Sequence, residues 1–256
     1  MSDLSESGSL NSVYDKGPWR NRNLSFIEWC RDLWDSRGLL KYSYYELVGL
    51  SGSEMYNLLA PKLHTPKQFI GADQDPEAIY YHRLKDVPWT TALVRDGYGK
   101  AEELTLKGIR EDAGIEHPVA IYGFDDYASV GSKAWWETEA SQLQHIVEKT
   151  LEQTGVCCLI LNNTLDRPTE NCTQSVEAHT ARLCAAFGKF GARGAGLTED
   201  MLLGPKRRFL SRVVKETGFF GGYDVYRSGN RMLRMATVRL EFTARKVRVW
   251  RGVGHG

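Results

Sequence analysis

The chain has 256 residues, 42% of them hydrophobic and 25% charged, with a formal net charge of +1, a composition that predicts a soluble globular protein long enough to bury a core. No apolar run approaches the roughly 20 residues that span a bilayer, and the N-terminus lacks the basic and apolar regions of a secretory signal, so no membrane association and a cytoplasmic location are expected. Five cysteines (Cys30, Cys157, Cys158, Cys172, Cys184) form no CxxC pair and have no histidine array near them, which argues against a disulfide framework and against a metal site.

Residues 1–18 are rich in Ser, Gly, Asn and Asp without an apolar period, predicting a flexible tail ahead of a single domain over 19–256. Leu24, Phe26, Ile27, Cys30 and Leu33 recur at helical spacing over 23–37, with Asn23 or Ser25 available as the cap. Strand and helix then alternate. A strand over 44–50 precedes a helix over 53–63, and a strand over 68–73 precedes a helix opened by Pro76, a residue favoured in the first turn. A third strand over 91–96 leads to a helix near 100–111, and a fourth strand is expected at 118–124. A long helix over 133–154 places Trp136, Leu143, Ile146, Val147 and Leu151 near one face.

VCCLILNN (156–163) is unbroken apolar sequence ending in two amides, the pattern of a strand buried on both faces, and it makes Cys157 and Cys158 packing residues. Helices follow over 173–187 and, short and basic, over 206–216. Two β-rich runs around Ser228-Gly229-Asn230 then spell a hairpin, with a further strand candidate over 244–250. Such alternation predicts an α/β fold with a mostly parallel sheet covered on both faces, closed by an antiparallel strand at or near one edge.

Charge is distributed unevenly. From Pro205 onward there are thirteen Lys and Arg against three acidic residues, so the remainder of the chain is net negative. Lys206, Arg207, Arg208 and Arg212 fall on the short basic helix and suggest a polyanionic partner such as nucleic acid. Folding that intermixes the two charge sets is the alternative.

Ligands of open α/β sheets bind outside the C-terminal ends of the strands, so the loops there are the ones that matter. The first reads Glu46-Leu-Val-Gly49-Leu-Ser51-Gly52, where glycines permit a tight turn and close approach of backbone to ligand. The second, GADQDP (71–76), ends its strand on Asp73, placed to accept hydrogen bonds from ribose hydroxyls, with Asp75-Pro76 capping the next helix. The third carries Asp96, and the fourth Asp125-Asp126-Tyr127. In these residues the chain resembles the class I S-adenosylmethionine-dependent methyltransferases. Glu46, Gly49 and Gly52 are similar to that family's first motif, and GADQDP is similar to its second. The resemblance covers roughly residues 40–245.

The resemblance implies a Rossmann-like, mostly parallel seven-stranded sheet with helices on both faces and a C-terminal antiparallel β-hairpin. It also implies S-adenosylmethionine as cofactor, held by Glu46, Gly49, Ser51, Gly52, Asp73 and Asp96, the last approaching the adenine amino group. Asp125, Asp126 and Tyr127 fall where the family's fourth motif faces the methyl donor, and would orient or deprotonate the acceptor. This motif keeps an acid and an aromatic residue but lacks the two prolines of amino-methylating enzymes. Lys41, Asp125 and Glu241 loosely suit the Lys-Asp-Lys-Glu set of ribose-methylating enzymes, but the fifth strand ends in Asn162-Asn163 without a lysine. A nucleic-acid acceptor is expected from the charge asymmetry, with Trp135-Trp136 as an aromatic platform. The alternatives are a small-molecule or protein acceptor, and a non-catalytic module of the same fold that binds cofactor or nucleic acid. The loop 49–55 is not G-x-G-x-x-G, which argues against a nicotinamide enzyme.

Overall fold

The unbroken apolar run becomes β5 (Val156–Thr164), and the main sheet is arranged around it. The computed structural model describes residues 42–49, 52–129, 133–167, 172–173, 175–190, 223–228, 233–243 and 246–249. On one side of β5 lie, in parallel and in this order, β4 (Val119–Ser129), β1 (Ser43–Leu47), β2 (Phe69–Asp73) and β3 (Thr90–Leu93). On the other side β9 (Leu233–Thr243) runs antiparallel, pairing with β5 from Val156 against Thr243 to Thr164 against Met235. The sheet is therefore mixed.

The outer edge of β9 is shared. Antiparallel β8 (Tyr223–Ser228) takes its first half, and antiparallel β10 (Lys246–Val249) its second. Among the described residues the main sheet thus has eight strands, against the seven expected. A second, two-stranded sheet of β6 (Asp166–Arg167) and β7 (Cys172–Thr173) was not anticipated, since two residues carry no readable period.

The α-helices among the described residues are α1 (Gly52–Leu59), α2 (Pro76–Leu84), α3 (Gly97–Glu103), α4 (Lys107–Asp112), α5 (Lys133–Thr154) and α6 (Val176–Phe187). The single helix expected near 100–111 is thus two. Thr105 breaks it: its hydroxyl donates to the Glu102 carbonyl at 2.6 Å, and its amide bonds the same carbonyl in a tight turn. The expected tail, the helix over 23–37 and the basic helix over 206–216 lie outside the described residues.

Alternation along the strands gives the sheet two unlike faces. One presents Tyr45, Tyr122, Phe124, Leu159, Leu161, Leu240 and Phe242 to α3, α5 and α6, whose Tyr98, Leu143, Ile146, Leu183 and Phe187 close the main core. The other begins apolar, with Tyr44, Phe69, Ile121, Cys158 and Ile160 packed near Met55, Tyr56 and Leu59 of α1 and against Trp89. Burying each such side chain is worth about 1.5–3 kcal/mol, so the two cores fix which way β1, β2, β4, β5 and β9 face. Among the described residues no helix is long and apolar enough to cross a membrane.

Candidate functional site

Strand order reverses at β1: β2 and β3 follow on one side, while β4 and β5 lie on the other. The loops at the C-terminal ends of β1 and β4 part there, opening the crevice in which such sheets bind ligands. Glu46 stands at this point, near the end of β1, buried at 6% exposure. Its register partners on both sides are glycines, Gly71 on β2 and Gly123 on β4. A β-carbon on Gly123 would come within 2.7 Å of the Tyr44 hydroxyl and 3.4 Å of Glu46 Cγ, and one on Gly71 within 3.0 Å of Val48 Cγ1. Gly123 therefore leaves room for the Tyr44 and Glu46 side chains, and Gly71 leaves room for Val48 and Trp89.

After β1 the backbone keeps its sheet bond for one more residue, with the Val48 N–H donating to the Ala72 carbonyl at 3.0 Å. Gly49 then turns with φ of 53°, in the left-handed region that favours glycine. Its N–H donates to Asp73 Oδ2 at 2.7 Å, while Asp73 Oδ1 accepts the Asp75 N–H at 2.8 Å. Two motifs 24 residues apart in the chain are thus one structure. Asp75 accepts the Glu77 N–H at 2.9 Å and caps α2 as its sequence suggests, with Pro76 in the first turn. Gly52 opens α1, and Ser51 lies outside the described residues.

A residue that sequence reasoning missed completes the loop. His82 of α2 is 1% exposed, and its Nε2 lies 2.7 Å from the Gly49 carbonyl oxygen. A signal was present: His82 follows Ala78 and Ile79 at helical spacing on the buried face of α2.

Past β3, Asp96 serves first as the N-cap of α3. Its Oδ1 accepts the Tyr98 N–H at 3.0 Å and its Oδ2 accepts from Gln142 Nε2 of α5 at 3.0 Å, so one carboxylate ties two helices together. Gly99 leaves the space for it, since a β-carbon there would lie 2.7 Å from Oδ2. Tyr45 donates its hydroxyl to the Gly97 carbonyl at 2.8 Å, and burial, aided by the Asp96 charge, holds that phenol well above its ordinary range. Tyr98 stacks on Phe124 with centroids 4.4 Å apart, joining this loop to β4.

Asp125, Asp126 and Tyr127 belong to β4 itself, which runs on to Ser129, and not to a loop after residue 124. The pairing with β5 slips at this motif: Asp125 is opposite Asn162 and Ser129 opposite Thr164, so β4 takes four steps where β5 takes two. Irregularities of this kind are common beside functional sites because they re-aim side chains. Asn162 is buried and accepts a hydrogen bond from the Thr237 hydroxyl at 2.8 Å. Asp125, Asn162 and Thr237 thus share one row across β4, β5 and β9. Glu241 lies four residues further along β9, opposite Cys158, which puts it about 13 Å from that row. The partial ribose-methylating set is therefore not assembled on Asp125, and Lys41 is outside the described residues.

No family model matches the chain, and no curated protein matches it. Solved structures do resemble it. The plantazolicin methyltransferase BamL, in complex with a triazolic desmethylPZN analog and SAH, aligns at 10% identity over 94% of this chain and 91% of that one, with a TM-score of 0.48. The CurJ carbon methyltransferase aligns at 13% identity over 80% of this chain and 49% of its own, with a TM-score of 0.35. PH1948 from Pyrococcus horikoshii, a proposed RNA methyltransferase, aligns at 13% identity over 86% and 80%, with a TM-score of 0.33. All three scores lie below 0.5.

Proposed function

We propose that the chain is an S-adenosylmethionine-dependent methyltransferase whose cofactor lies across the C-terminal ends of β1, β2 and β4. The observation that carries this reading is the 2.7 Å hydrogen bond from Gly49 N–H to Asp73, which puts the glycine turn and the strand-end carboxylate side by side at the switch point. The residues fit such a group. Gly49 brings no β-carbon to the turn, and Asp73 is only half-buried. Each Asp73 oxygen accepts one backbone N–H in the described contacts, leaving lone pairs for ribose hydroxyls.

Glu46, Ser51, Gly52 and Asp96 complete the proposed cofactor set. S-adenosylmethionine, when bound, supplies an electrophilic methyl group on a sulfonium sulfur. What remains for the protein is to align the acceptor and, for some acceptors, to take a proton. Asp125, Asp126 and Tyr127 are the proposed residues for that work, at the slipped end of β4 beside Asn162.

Calorimetric titration with S-adenosylhomocysteine and with NAD tests the reading. Binding of the first and not the second supports it, and the reverse sinks it. Asp73→Ala should weaken binding by about 1.5–3 kcal/mol, the scale of hydrogen bonds to a charged group. Asp73→Asn keeps one carbonyl acceptor and should lose less.

The proposed acceptor is a nucleic acid, on the strength of the thirteen cations against three acids from residue 205 onward. Arg239 is buried inside β9 and does not contribute to such a surface. Lys206, Arg207, Arg208 and Arg212 lie outside the described residues and remain the proposed contacts. Filter binding at several salt concentrations checks this, since log affinity should fall linearly with log salt by about −0.7 to −0.9 per phosphate neutralised. Reversing Arg207 and Arg208 to Glu should flatten the slope and leave cofactor affinity alone. Wild-type protein that shows no salt-sensitive binding hands the acceptor to the small-molecule and protein readings.

A further inference from the structure

The residue Gly49 is gripped at both of its peptide groups. Its N–H goes to Asp73, just ahead of α2, and its carbonyl meets His82 near the end of the same helix. A carbonyl oxygen can only accept, so His82 Nε2 carries the proton in this bond. The ring is not free to choose otherwise. It packs edge-on to Trp89, with centroids 5.5 Å apart at 62°, and edge-on to Tyr81 at 5.6 Å and 71°. Trp89 in turn lies against Tyr56 of α1, at 4.6 Å between centroids. The imidazole is thereby held between Trp89 and the loop after β1, with one donor aimed at the turn.

We infer that His82 is a positioning residue: it holds the Gly49 turn in the shape that receives the cofactor, so that binding does not first have to order the loop. This inference rests on the cofactor reading given above. A left-handed glycine has many alternatives open to it, and a backbone bond at each end removes them. His82 acts through Gly49 and need not touch the ligand at all.

Two amides separate reach from bulk. Gln places its side-chain nitrogen where His Nε2 stands, while Asn places it where Nδ1 stands, too short for the Gly49 carbonyl. His82→Gln should bind S-adenosylhomocysteine within about threefold of wild type, and His82→Asn and His82→Phe should bind it at least tenfold more weakly, read by calorimetry. Native-state hydrogen exchange of the Gly49 amide gives a second readout that needs no ligand: exchange should speed up at least tenfold in His82→Asn and stay near wild type in His82→Gln. Equal exchange in all variants overturns the inference. If wild type binds no S-adenosylhomocysteine, the cofactor reading falls while the exchange measurement still decides whether His82 holds the turn. If Gln and Asn weaken binding alike, His82 is a packing residue only.

Discussion

The two faces of the sheet are built on different terms. Toward α3, α5 and α6 the strands present apolar side chains almost without interruption, from Tyr45 and Tyr122 through Leu159 to Leu240 and Phe242. The opposite face is mixed. It is apolar at Tyr44, Ile121 and Cys158 but turns polar at Glu46 and Asn162 toward the strand ends, and along β9 it carries Thr237, Arg239 and Glu241, all buried. A hydrogen bond nets only about 0.5–1.5 kcal/mol, against about 1.5–3 kcal/mol for a buried apolar side chain, so this face adds less to stability per residue than the first. On the proposed reading, this face contributes Glu46 at the switch point. Binding would then draw mainly on this side of the sheet, and stability mainly on the other.

That division can be broken by substitutions on each side. Leu143→Ala removes a fully buried side chain of α5 from the apolar face and should cost about 2–5 kcal/mol in urea unfolding, with ligand affinity unchanged for the folded protein. A parallel loss of S-adenosylhomocysteine affinity would mean that the faces are not independent. On the polar face, Thr237→Val keeps the volume but takes a buried donor from Asn162, at an expected cost of about 1–3 kcal/mol by the same assay. Gly49→Ala places a β-carbon on a left-handed residue and should cost roughly 1–2 kcal/mol, with a fall in cofactor affinity larger than that of Leu143→Ala.

The smallest effect, read between pH 7.5 and 5.5, concerns an exception on the apolar side. His179 of α6 is fully buried, and burial, with the Arg182 charge adding to it, pushes its pKa down to about 3. An unfolded chain takes up this proton near pH 6.5, which the folded protein refuses until about pH 3. Stability from this group is therefore complete above pH 6.5 and falls as pH drops through that window, by about 1.4 kcal/mol per unit. Urea midpoints at pH 7.5 and 5.5 test it, and His179→Leu should flatten the difference.

Long periodic or unbroken segments were legible from residues alone. The helix expected over 133–154 is α5 to the residue, and the strand expected over 156–163 is β5 with one residue added. Segments decided by partners were not. Asp125-Asp126-Tyr127 has the composition of a turn, yet β4 runs through it, because β5 and β9 extend far enough to carry the sheet onward. The split between α3 and α4 depends on a threonine hydroxyl bonding its own backbone, which helical periodicity does not report. At the site, Gly49 and Asp73 were visible as separate motifs, but their bond was not, because it spans 24 residues. His82 reads as an ordinary helix residue until Gly49 is placed beside it.

The way the sheet ends bears on how the protein behaves in a crowded solution. Its longest strands, β4, β5 and β9, with 11, 9 and 11 residues, are interior, while the outermost described strands β3, β8 and β10 have only 4, 6 and 4. A long, flat edge is a template on which a second chain can add itself, and short edges offer few consecutive amides for that purpose. Because β8 and β10 divide the flank of β9 between them, neither presents a continuous rail, and Lys246 and Arg248 put positive charge into the last four paired residues. The described strands at the edges are therefore the short ones, and loss of β10 would uncover the backbone of Leu240 to Thr243 to edge-to-edge pairing.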